Sequence, residues 1–190
     1  YNVIRCLGSG GMGSVYLCND SVLDDEQVAI KILHNDLAND DQQTKRFLRE
    51  VQLIRKINHR NVVRTFDVGV DGANLYFTME FIPGTPLDEL IEKRKVGIND
   101  IGPLLINIAE GLDAIHQAGV VHRDLKPANV MVLSDGSVKI ADFGVARPED
   151  SNLTAHDEII GSVLFMAPEI WLGKKLTPSI DLYALGILGY

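Results

Sequence analysis

The chain has 190 residues, of which 46% are hydrophobic, so it can bury a substantial core. It is longer than a single small domain. Lysine and arginine number 18 against 26 aspartates and glutamates, and the net charge of −8 argues against a general binder of nucleic acid or membrane surfaces. The two cysteines, Cys6 and Cys18, are expected to be free thiols in a reducing compartment, so no disulfide framework is indicated.

A glycine-rich turn separates the first two apolar segments, which are predicted to be strands over residues 1–7 and 14–17. Its glycines leave backbone N–H groups open to an anion because no Cβ stands in the way. The pattern alone is weak, since a flexible hairpin has a similar composition. A strand follows where a dinucleotide-binding unit needs a helix, so the sequence disfavours a Rossmann domain. The turn consists of Gly8, Ser9, Gly10, Gly11, Met12 and Gly13.

Two charged residues lie inside apolar patterns. Lys31 interrupts a strand predicted over residues 27–33, where it could simply extend its ammonium to water. Glu50 lies within the apolar face of a helix predicted over residues 40–57, and a carboxylate on a buried face needs a partner. Lys31 is the candidate partner, because the cations of the helix itself project elsewhere. The apolar face is formed by Phe47, Val51, Ile54 and Ile57.

Further elements follow in chain order. Strands are predicted over residues 65–70 and 75–80, around the turn Asp71-Gly72, which completes five antiparallel strands. Thr85 is predicted to cap a short helix that has Pro86 at its first position. A long amphipathic helix is predicted over residues 99–117, ended by Gly119, with His116 expected to interact with the helix terminus. Its core face is Ile101, Leu104, Leu105, Ile108, Leu112 and Ile115.

The most informative stretch is residues 122–129, a polar loop between two apolar segments. Pro127 removes a backbone donor and keeps Lys126 out of the helical region, so the loop is expected to be rigid. Asp124 can accept a proton, Lys126 can neutralise an anion, and Asn129 offers a neutral oxygen of the kind that Mg²⁺ accepts. This combination suits phosphoryl transfer, and the alternative interpretation is a solvated turn.

A hairpin is predicted next, with strands over residues 129–133 and 137–140. It leads directly to Asp142-Phe143-Gly144. A polar segment over residues 145–164 then ends at Ala167-Pro168-Glu169. Asp-Phe-Gly is a weak signal by itself, but it is a strong one after a hairpin that lies just downstream of the loop at 122–129.

Together these motifs resemble the catalytic domain of eukaryotic-type (Hanks-type) Ser/Thr protein kinases, with a bacterial-like glycine-rich turn. The resemblance covers essentially the whole chain. It implies an α+β, bilobal fold: an N-lobe over residues 1–80 with five antiparallel strands and helix C, and a mainly helical partial C-lobe over residues 81–190 that ends at helix F. Residues 1–190 are thus expected to be a C-terminally incomplete kinase domain within a longer protein.

The resemblance also implies roles for the charged residues. Asp124 accepts the proton of the substrate hydroxyl, and Lys126 steadies the transferring phosphoryl group and favours Ser/Thr over Tyr substrates. Asn129 and Asp142 hold magnesium. Lys31 contacts the α and β phosphates of ATP while paired with Glu50 of helix C. ATP and Mg²⁺ are therefore the expected cofactors, and a protein with a Ser or Thr acceptor is the expected substrate.

The same resemblance implies a set of nucleotide contacts. Met79 is expected beside the adenine, and Pro86 occupies a place where relatives carry a polar ribose contact. The hinge would use the backbone of Glu80 and Ile82. The base would lie between apolar side chains, namely Leu7, Val15, Ala29 and Met131. The remaining contacts would come from the glycine-rich turn with its neighbour Ser14: Gly8, Ser9, Gly10, Gly11, Met12, Gly13 and Ser14.

Regulation and anchoring are also implied. Arg123, next to Asp124, suggests control by a phosphate on the segment that follows Asp142. We expect autophosphorylation at Thr154, with Ser151 and Ser162 as alternatives.

Asp181 matches the helix F aspartate that anchors the catalytic loop backbone, and His122 is expected to pack in the core. The helix residues that should leave exposed apolar surface are Leu182, Leu185, Ile187 and Leu188.

The leading hypothesis is therefore a protein Ser/Thr kinase that transfers the γ-phosphoryl group of Mg-ATP to protein hydroxyls. We expect reduced stability and activity for this chain alone. A pseudokinase-like scaffold that binds ATP is the alternative, and a small-molecule kinase of related fold is a third reading that Lys126 and Ala167-Pro168-Glu169 disfavour. The need for ATP predicts a cytoplasmic location, in a protein that could be membrane-anchored through a part not visible in this chain.

Overall fold

The computed structural model describes residues 1–10, 13–33, 41–72, 74–143 and 163–190. Contacts divide the chain into two compact units. The first unit consists of residues 1–56 and 64–81, and the second consists of residues 57–63 and 82–190. Gly11, Met12, Gly144 and the predicted phosphorylation sites lie outside the described residues.

The first unit is built on one antiparallel sheet with the strand order β1-β2-β3-β5-β4. The five antiparallel strands predicted from the sequence are thereby confirmed. Helix α1, Asp41–Ile54, follows β3 and precedes β4. The strands are β1 (Asn2–Gly10), β2 (Gly13–Asp20), β3 (Glu26–Leu33), β4 (Thr65–Asp71) and β5 (Asn74–Glu80).

The two faces of this sheet bury different side chains because neighbours along a strand point to opposite sides. One face holds a small core of Cys18, Val28 and Ile30. The other face carries α1: the Phe47 ring of α1 lies 6.2 Å from the Phe77 ring of β5. Three members of the apolar face predicted for the helix are buried within α1, namely Phe47, Val51 and Ile54. The prediction that the helix continues to residue 57 is wrong, because α1 ends at Ile54, and the buried Ile57 belongs to the second unit.

Gly13, the last glycine of the turn between β1 and β2, is required by its surroundings. Its φ is +148°, and a Cβ at this position would lie 2.1 Å from the carbonyl oxygen of Ile32. Only glycine can combine that backbone conformation with so close an approach to β3. The close pairing of β2 and β3 at Gly13 and Leu33 therefore depends on this residue.

The second unit is mainly helical and carries one small sheet, ordered β6-β7-β8. Its longest helix, α3, begins one residue before the predicted start and ends at the predicted residue. The strands are β6 (Thr85–Pro86), β7 (Val130–Val132) and β8 (Val138–Ile140). The helices are α2 (Leu87–Glu92), α3 (Ile98–Gln117), α4 (Pro168–Trp171) and α5 (Ser179–Gly189), with 3-10 turns at Pro127–Asn129 and Val163–Phe165.

The prediction that Thr85 caps a helix is wrong. Thr85 and Pro86 form β6, in which they pair with Val132 and Met131 of β7. The helix begins at Leu87, with Pro86 as its N-cap and without a side-chain capping hydrogen bond. A proline is tolerated here because β6 is an edge strand. Pairing with a distant strand thus outweighs the local capping signal.

Residues 57–63 attach to α3 and β8. The Ile140 N–H donates to the Asn61 carbonyl (2.8 Å), and the Val63 N–H donates to the Ile140 carbonyl (2.9 Å). The buried Asn61 amide also donates to the Val138 carbonyl at 2.9 Å. Gly111 of α3 lies against this junction, where a Cβ would be 2.8 Å from Ile140 Cδ1 and 2.9 Å from the Asn61 carbonyl oxygen. The helix can approach the junction this closely because residue 111 has no side chain.

Of the four apolar residues predicted to leave exposed surface on α5, only Leu182 is exposed, whereas Leu185, Ile187 and Leu188 are half-buried. Leu182 exposes 56% of its surface. It borders an open apolar groove between α3 and α5, which is lined by Leu105, Ile106, Ala109, Leu182, Leu185 and Tyr190, among others. Among the residues that the structure describes, none of the helices combines the length and apolar character needed to span a membrane.

Gly111→Ala is expected to lower the free energy of unfolding by about 1–3 kcal/mol, because the added methyl group overpacks the contact with Asn61 and Ile140. The control is Gly102→Ala on the same helix, where a Cβ meets nothing within 4 Å. Gly102→Ala is expected to stabilise the protein by up to about 1 kcal/mol through helix propensity. Urea unfolding of the three proteins measures both effects, and equal shifts for the two variants would contradict the proposed close contact.

Candidate active site

Two predicted catalytic side chains, Asp124 and Lys126, and the predicted magnesium ligand Asn129 converge within the loop at 122–129. Lys126 Nζ lies 3.2 Å from Asp124 Oδ2. The Asn129 amide donates to the same oxygen at 3.2 Å and to the Asp124 carbonyl at 2.8 Å. Lys126 is extended, as expected before Pro127, and the 3-10 turn at Pro127–Asn129 returns Asn129 toward Asp124. The carboxylate of Asp124 is thus fixed by a cation and a carboxamide.

The backbone of this loop is held by Asp181 of α5, a side chain that is only 1% exposed. Its Oδ2 accepts the His122 N–H at 2.8 Å, and its Oδ1 accepts the Arg123 N–H at 2.9 Å. Arg123 has a φ of +69°, a conformation that costs a non-glycine residue free energy unless its surroundings impose it. The predicted anchoring role of Asp181 is confirmed by these contacts.

His116 completes the set of hydrogen bonds to Asp181. Its Nε2 lies 2.8 Å from Asp181 Oδ2, and its side chain is 15% exposed. The carbonyl of His116 accepts the Gly119 N–H at the end of α3. The side chain that was predicted to interact with the end of α3 bonds instead to Asp181 of α5. Residues 116 and 181 are 65 positions apart, and no sequence signal links them.

His122 joins the loop to the segment that carries Asp142. Its Nε2 lies 3.0 Å from the Ala141 carbonyl, and its Nδ1 accepts the Asp124 N–H at 3.3 Å. Both contacts require the neutral imidazole with its proton on Nε2. The side chain is fully buried, as predicted, and its ring centroid lies 5.3 Å from that of Phe143.

Asp142 is positioned by its backbone. The Ala141 N–H donates to the Asn129 carbonyl at 2.9 Å, so both backbone polar groups of Ala141 are bound to the loop at 122–129. Asp142 itself has a φ of +57°, an uncommon value for a residue with a side chain. The strained residue follows a segment that is fixed on both sides, which is where such strain can persist.

The donor chemistry of this region fits a magnesium ion. The amide group of Asn129 donates to Asp124, which leaves its carboxamide oxygen as the atom suited to a hard cation. Asp142 supplies a carboxylate, whose oxygens Mg²⁺ also prefers as ligands. The described residues contain no cluster of three or more His, Cys, Asp or Glu side chains that could hold a metal by themselves. Any magnesium here would therefore depend on further oxygen ligands, such as phosphates.

In the first unit, Lys31 is buried on β3, with 5% of its surface exposed. Its cross-strand partners are Val15 and Phe77, so the three side chains share one face of the sheet. Phe77 contacts Phe47 of α1, and Glu50 lies three residues further along the same helix. Lys31 and the half-buried Glu50 are thus on elements that pack together, and their direct pairing stays a prediction.

The predicted nucleotide-binding residues of this unit lie on β1, β2, β3 and β5. The register pairs Gly8 with Val15, and Ser9 with Ser14, whose hydroxyls are 2.9 Å apart. The Glu80 N–H donates to the Arg64 carbonyl at 2.9 Å, so any contact of the Glu80 backbone with adenine would use its carbonyl. The other predicted contacts that the structure describes in this unit also lie on strands: Leu7, Gly10, Gly13 and Ala29. Two predicted contacts belong to the second unit: Ile82 follows β5 in the sequence, and Met131 lies on β7.

The carboxyl group of Asp181 is electrostatically unusual. Burial acts to raise its pKa, but the hydrogen bond from His116 and the backbone N–H groups of His122 and Arg123 outweigh burial and hold the pKa below its ordinary value. The side chain is therefore an ionised, buried acceptor at neutral pH. Its negative charge is what the three surrounding donors stabilise.

Comparison with known proteins identifies the class to which this fold and site belong. The chain matches the protein kinase domain over residues 1–190, its whole length. The chain therefore belongs to the protein kinase family, and the resemblance stated from its motifs is confirmed.

Several curated relatives have similar sequences. The probable serine/threonine-protein kinase PknB of Lactococcus lactis is 38% identical over 190 residues, which are 99% of this chain and 30% of the relative. PrkC, a serine/threonine-protein kinase of Bacillus subtilis, is 38% identical over 99% of this chain and 29% of its own length. The kinase pkn2 of Myxococcus xanthus is 39% identical over all of this chain and 24% of its own length. The chain thus spans less than a third of these relatives.

Solved structures agree with this assignment. The kinase domain of Mycobacterium tuberculosis PknI superposes with a TM-score of 0.79 at 28% identity. The superposition covers 100% of this chain and 71% of that domain. The α+β kinase fold predicted from the sequence is therefore confirmed.

The pKa of Asp181 predicts an acid-sensitive fold. Because the folded-state pKa is below the value of about 3.9 for an unfolded aspartate, Asp181 stabilises the fold fully above about pH 5. This contribution is lost as the pH falls through about 4 toward the folded-state pKa. Asp181→Asn is expected to lower the free energy of unfolding by roughly 3 kcal/mol at pH 7. Between pH 5 and pH 3, the free energy of unfolding of this variant should decrease less than that of wild type. Urea unfolding at each pH measures this, with Asp113→Asn, an exposed carboxylate on α3, as the control; parallel pH curves for wild type and Asp181→Asn would contradict it.

Proposed function

We propose that this chain is the catalytic part of a protein serine/threonine kinase, which transfers the γ-phosphoryl group of ATP to a hydroxyl group of a protein substrate. The observation that carries this proposal is the convergence of Lys126 and Asn129 on the carboxylate of Asp124. A carboxylate held at a fixed position by a cation and an amide is suited to orient a hydroxyl and accept its proton.

In the proposed reaction, the substrate hydroxyl oxygen forms a bond to the γ-phosphorus while the bond to the bridging oxygen of ADP breaks. The hydroxyl proton passes to Asp124, and the leaving electron pair remains on ADP. Lys126, 3.2 Å from Asp124, is placed to offset negative charge on the transferring phosphoryl group. Catalysis of this kind rests mainly on positioning and charge stabilisation, which agrees with a loop held by many hydrogen bonds.

We propose that Asn129 and Asp142 are the magnesium ligands. Their oxygens are of the type that Mg²⁺ prefers, and bound magnesium would neutralise charge on the ATP phosphates. His122 and Asn129 support this role of Asp142, because both bind the backbone of the preceding residue, Ala141. Within the first unit, we propose that Lys31 contacts the α and β phosphates while paired with Glu50, and that the glycine-rich turn contributes backbone N–H groups.

The protein substrates and the autophosphorylation sites are also proposed. Protein substrates with Ser or Thr acceptors follow from the relatives' names as serine/threonine-protein kinases. Autophosphorylation is proposed at Thr154, with Ser151 and Ser162 as alternatives, and Arg123 as a partner for the phosphate. Mass spectrometry of the chain after incubation with ATP tests this assignment. Dependence on ATP favours a cytoplasmic location.

Asp124→Asn is expected to lower the rate constant for phosphate transfer by about 10²–10⁴-fold, because the carboxamide cannot accept the hydroxyl proton. The assay follows labelled γ-phosphate from Mg-ATP to a generic basic acceptor protein. Asp113→Asn, on the exposed surface of α3, is the matched control and should retain full activity. Transfer by Asp124→Asn at the wild-type rate would contradict the assigned base, and ATP binding without any transfer by wild type would favour the scaffold alternative.

Lys31→Met is expected to lower phosphate transfer by about 10²-fold, because a positive charge aimed at the phosphates is lost. If Lys31 and Glu50 act as a pair, adding Glu50→Gln to Lys31→Met should cause little further loss. Lys45→Met, on the exposed face of α1, serves as the control. Multiplicative losses in the double variant would show that the two residues act independently.

A further inference from the structure

The pairing of β4 with β5 ends irregularly at Arg64 and Glu80. Thr65 is the register partner of Met79, so Arg64 lies opposite Glu80. At a hydrogen-bonded position of an antiparallel ladder, each backbone N–H donates to the carbonyl of the opposite residue. The Glu80 N–H makes the expected bond to the Arg64 carbonyl at 2.9 Å. The Arg64 N–H donates instead to the side chain of Glu80, with 2.7 Å between its nitrogen and Oε1.

The Glu80 carboxylate takes the place that the Glu80 carbonyl has in a regular ladder. Hydrogen bonds to an ionised acceptor are shorter and roughly twice as strong as those between neutral groups. The distance of 2.7 Å is at the short end of the usual range for an N–H donor. The side chain therefore outcompetes the carbonyl of the same residue for the Arg64 N–H.

The strands around this pair favour the same arrangement. β4 is irregular between Thr65 and Asp67, and bulges of this kind often end the pairing of two strands. β5 ends at Glu80, and residues 81–84 have no regular secondary structure. The direction of the Glu80 carbonyl at the end of the strand therefore depends on which of its two acceptors the Arg64 N–H binds.

We propose that the Glu80 carboxylate positions the adenine base: by accepting the Arg64 N–H, it keeps the Glu80 carbonyl directed to the 6-amino group of adenine. This inference rests on the proposed kinase function, in which the Glu80 backbone contacts the base. Without the carboxylate, the Arg64 N–H is expected to complete the ladder by bonding to the Glu80 carbonyl. The site would then lose an acceptor that distinguishes an amino group from an oxygen at this position of a purine.

The test compares ADP with inosine diphosphate (IDP), whose base carries an oxygen in place of the 6-amino group and cannot donate to a carbonyl there. Glu80→Gln retains an acceptor oxygen at the same distance from the backbone, whereas Glu80→Met and Glu80→Leu have none. Glu26→Met, at an exposed position of β3, is the matched control. For each protein we would measure the melting temperature, the Kd for ADP and for IDP, and kcat and KM for ATP.

Glu80→Met and Glu80→Leu are expected to raise the Kd for ADP about 10-fold through the loss of one hydrogen bond to the base, while the Kd for IDP changes by less than about threefold. KM for ATP should rise about 10-fold and kcat should change by less than about twofold, because the base is bound equally in the ground and transition states. Glu80→Gln should stay within about threefold of wild type in both Kd values. Glu26→Met should match wild type.

Equal increases in the two Kd values for Glu80→Met and Glu80→Leu would overturn the inference, because the side chain would then support the structure without selecting the base. Equal impairment of Glu80→Gln and Glu80→Met would also overturn it, since the acceptor oxygen would be irrelevant. The same experiment separates this inference from the proposed function. If wild type transfers no phosphate, the proposed function fails. If wild type is active but its preference for ADP over IDP does not respond to Glu80→Met, only the inference fails.

Discussion

The buried carboxylate of Asp181 is the constraint on which the arrangement of the second unit's site depends. Removing a charged side chain from water is costly unless donors surround it. Three donors do so here: the imidazole of His116 and the backbone N–H groups of His122 and Arg123. Because two of these donors belong to the catalytic loop, satisfying the charge also fixes the loop. The stability of the fold and the geometry of the proposed catalytic loop therefore have the same physical origin.

Further hydrogen bonds connect the loop backbone that Asp181 holds with Asp124 and with the segment before Asp142. His122 binds the N–H of Asp124 and the carbonyl of Ala141, and Asn129 binds Asp124 and the N–H of Ala141. The loop and the segment before Asp142 are thus joined at several points. Backbone strain at Arg123 and Asp142 is tolerated because these surrounding bonds impose it. A site held in this manner needs little rearrangement when charge develops on a transferring group.

In the first unit, the main constraint is the burial of a lysine, Lys31, within the sheet. Lys31 shares its face with Val15 and Phe77, and α1 packs on that face through Phe47. The apolar side chains exclude water around the lysine stem, which directs its ammonium toward the groups that remain polar. Gly13 allows β2 and β3 to pair closely beside it. Membership of the protein kinase family gives this arrangement its proposed role with ATP phosphates.

The sequence by itself determined the strands, the long helices, the buried face of α1 and the polar residues of the loop at 122–129. Each of these depends on residues close together in the chain, where periodicity, proline and glycine act locally. Only the tertiary structure decided that Thr85 pairs in a strand, that residues 57–63 join β8, and that His116 bonds Asp181. Those outcomes join residues far apart in the sequence, so they depend on how whole elements pack, and no local pattern encodes the meeting of positions 116 and 181.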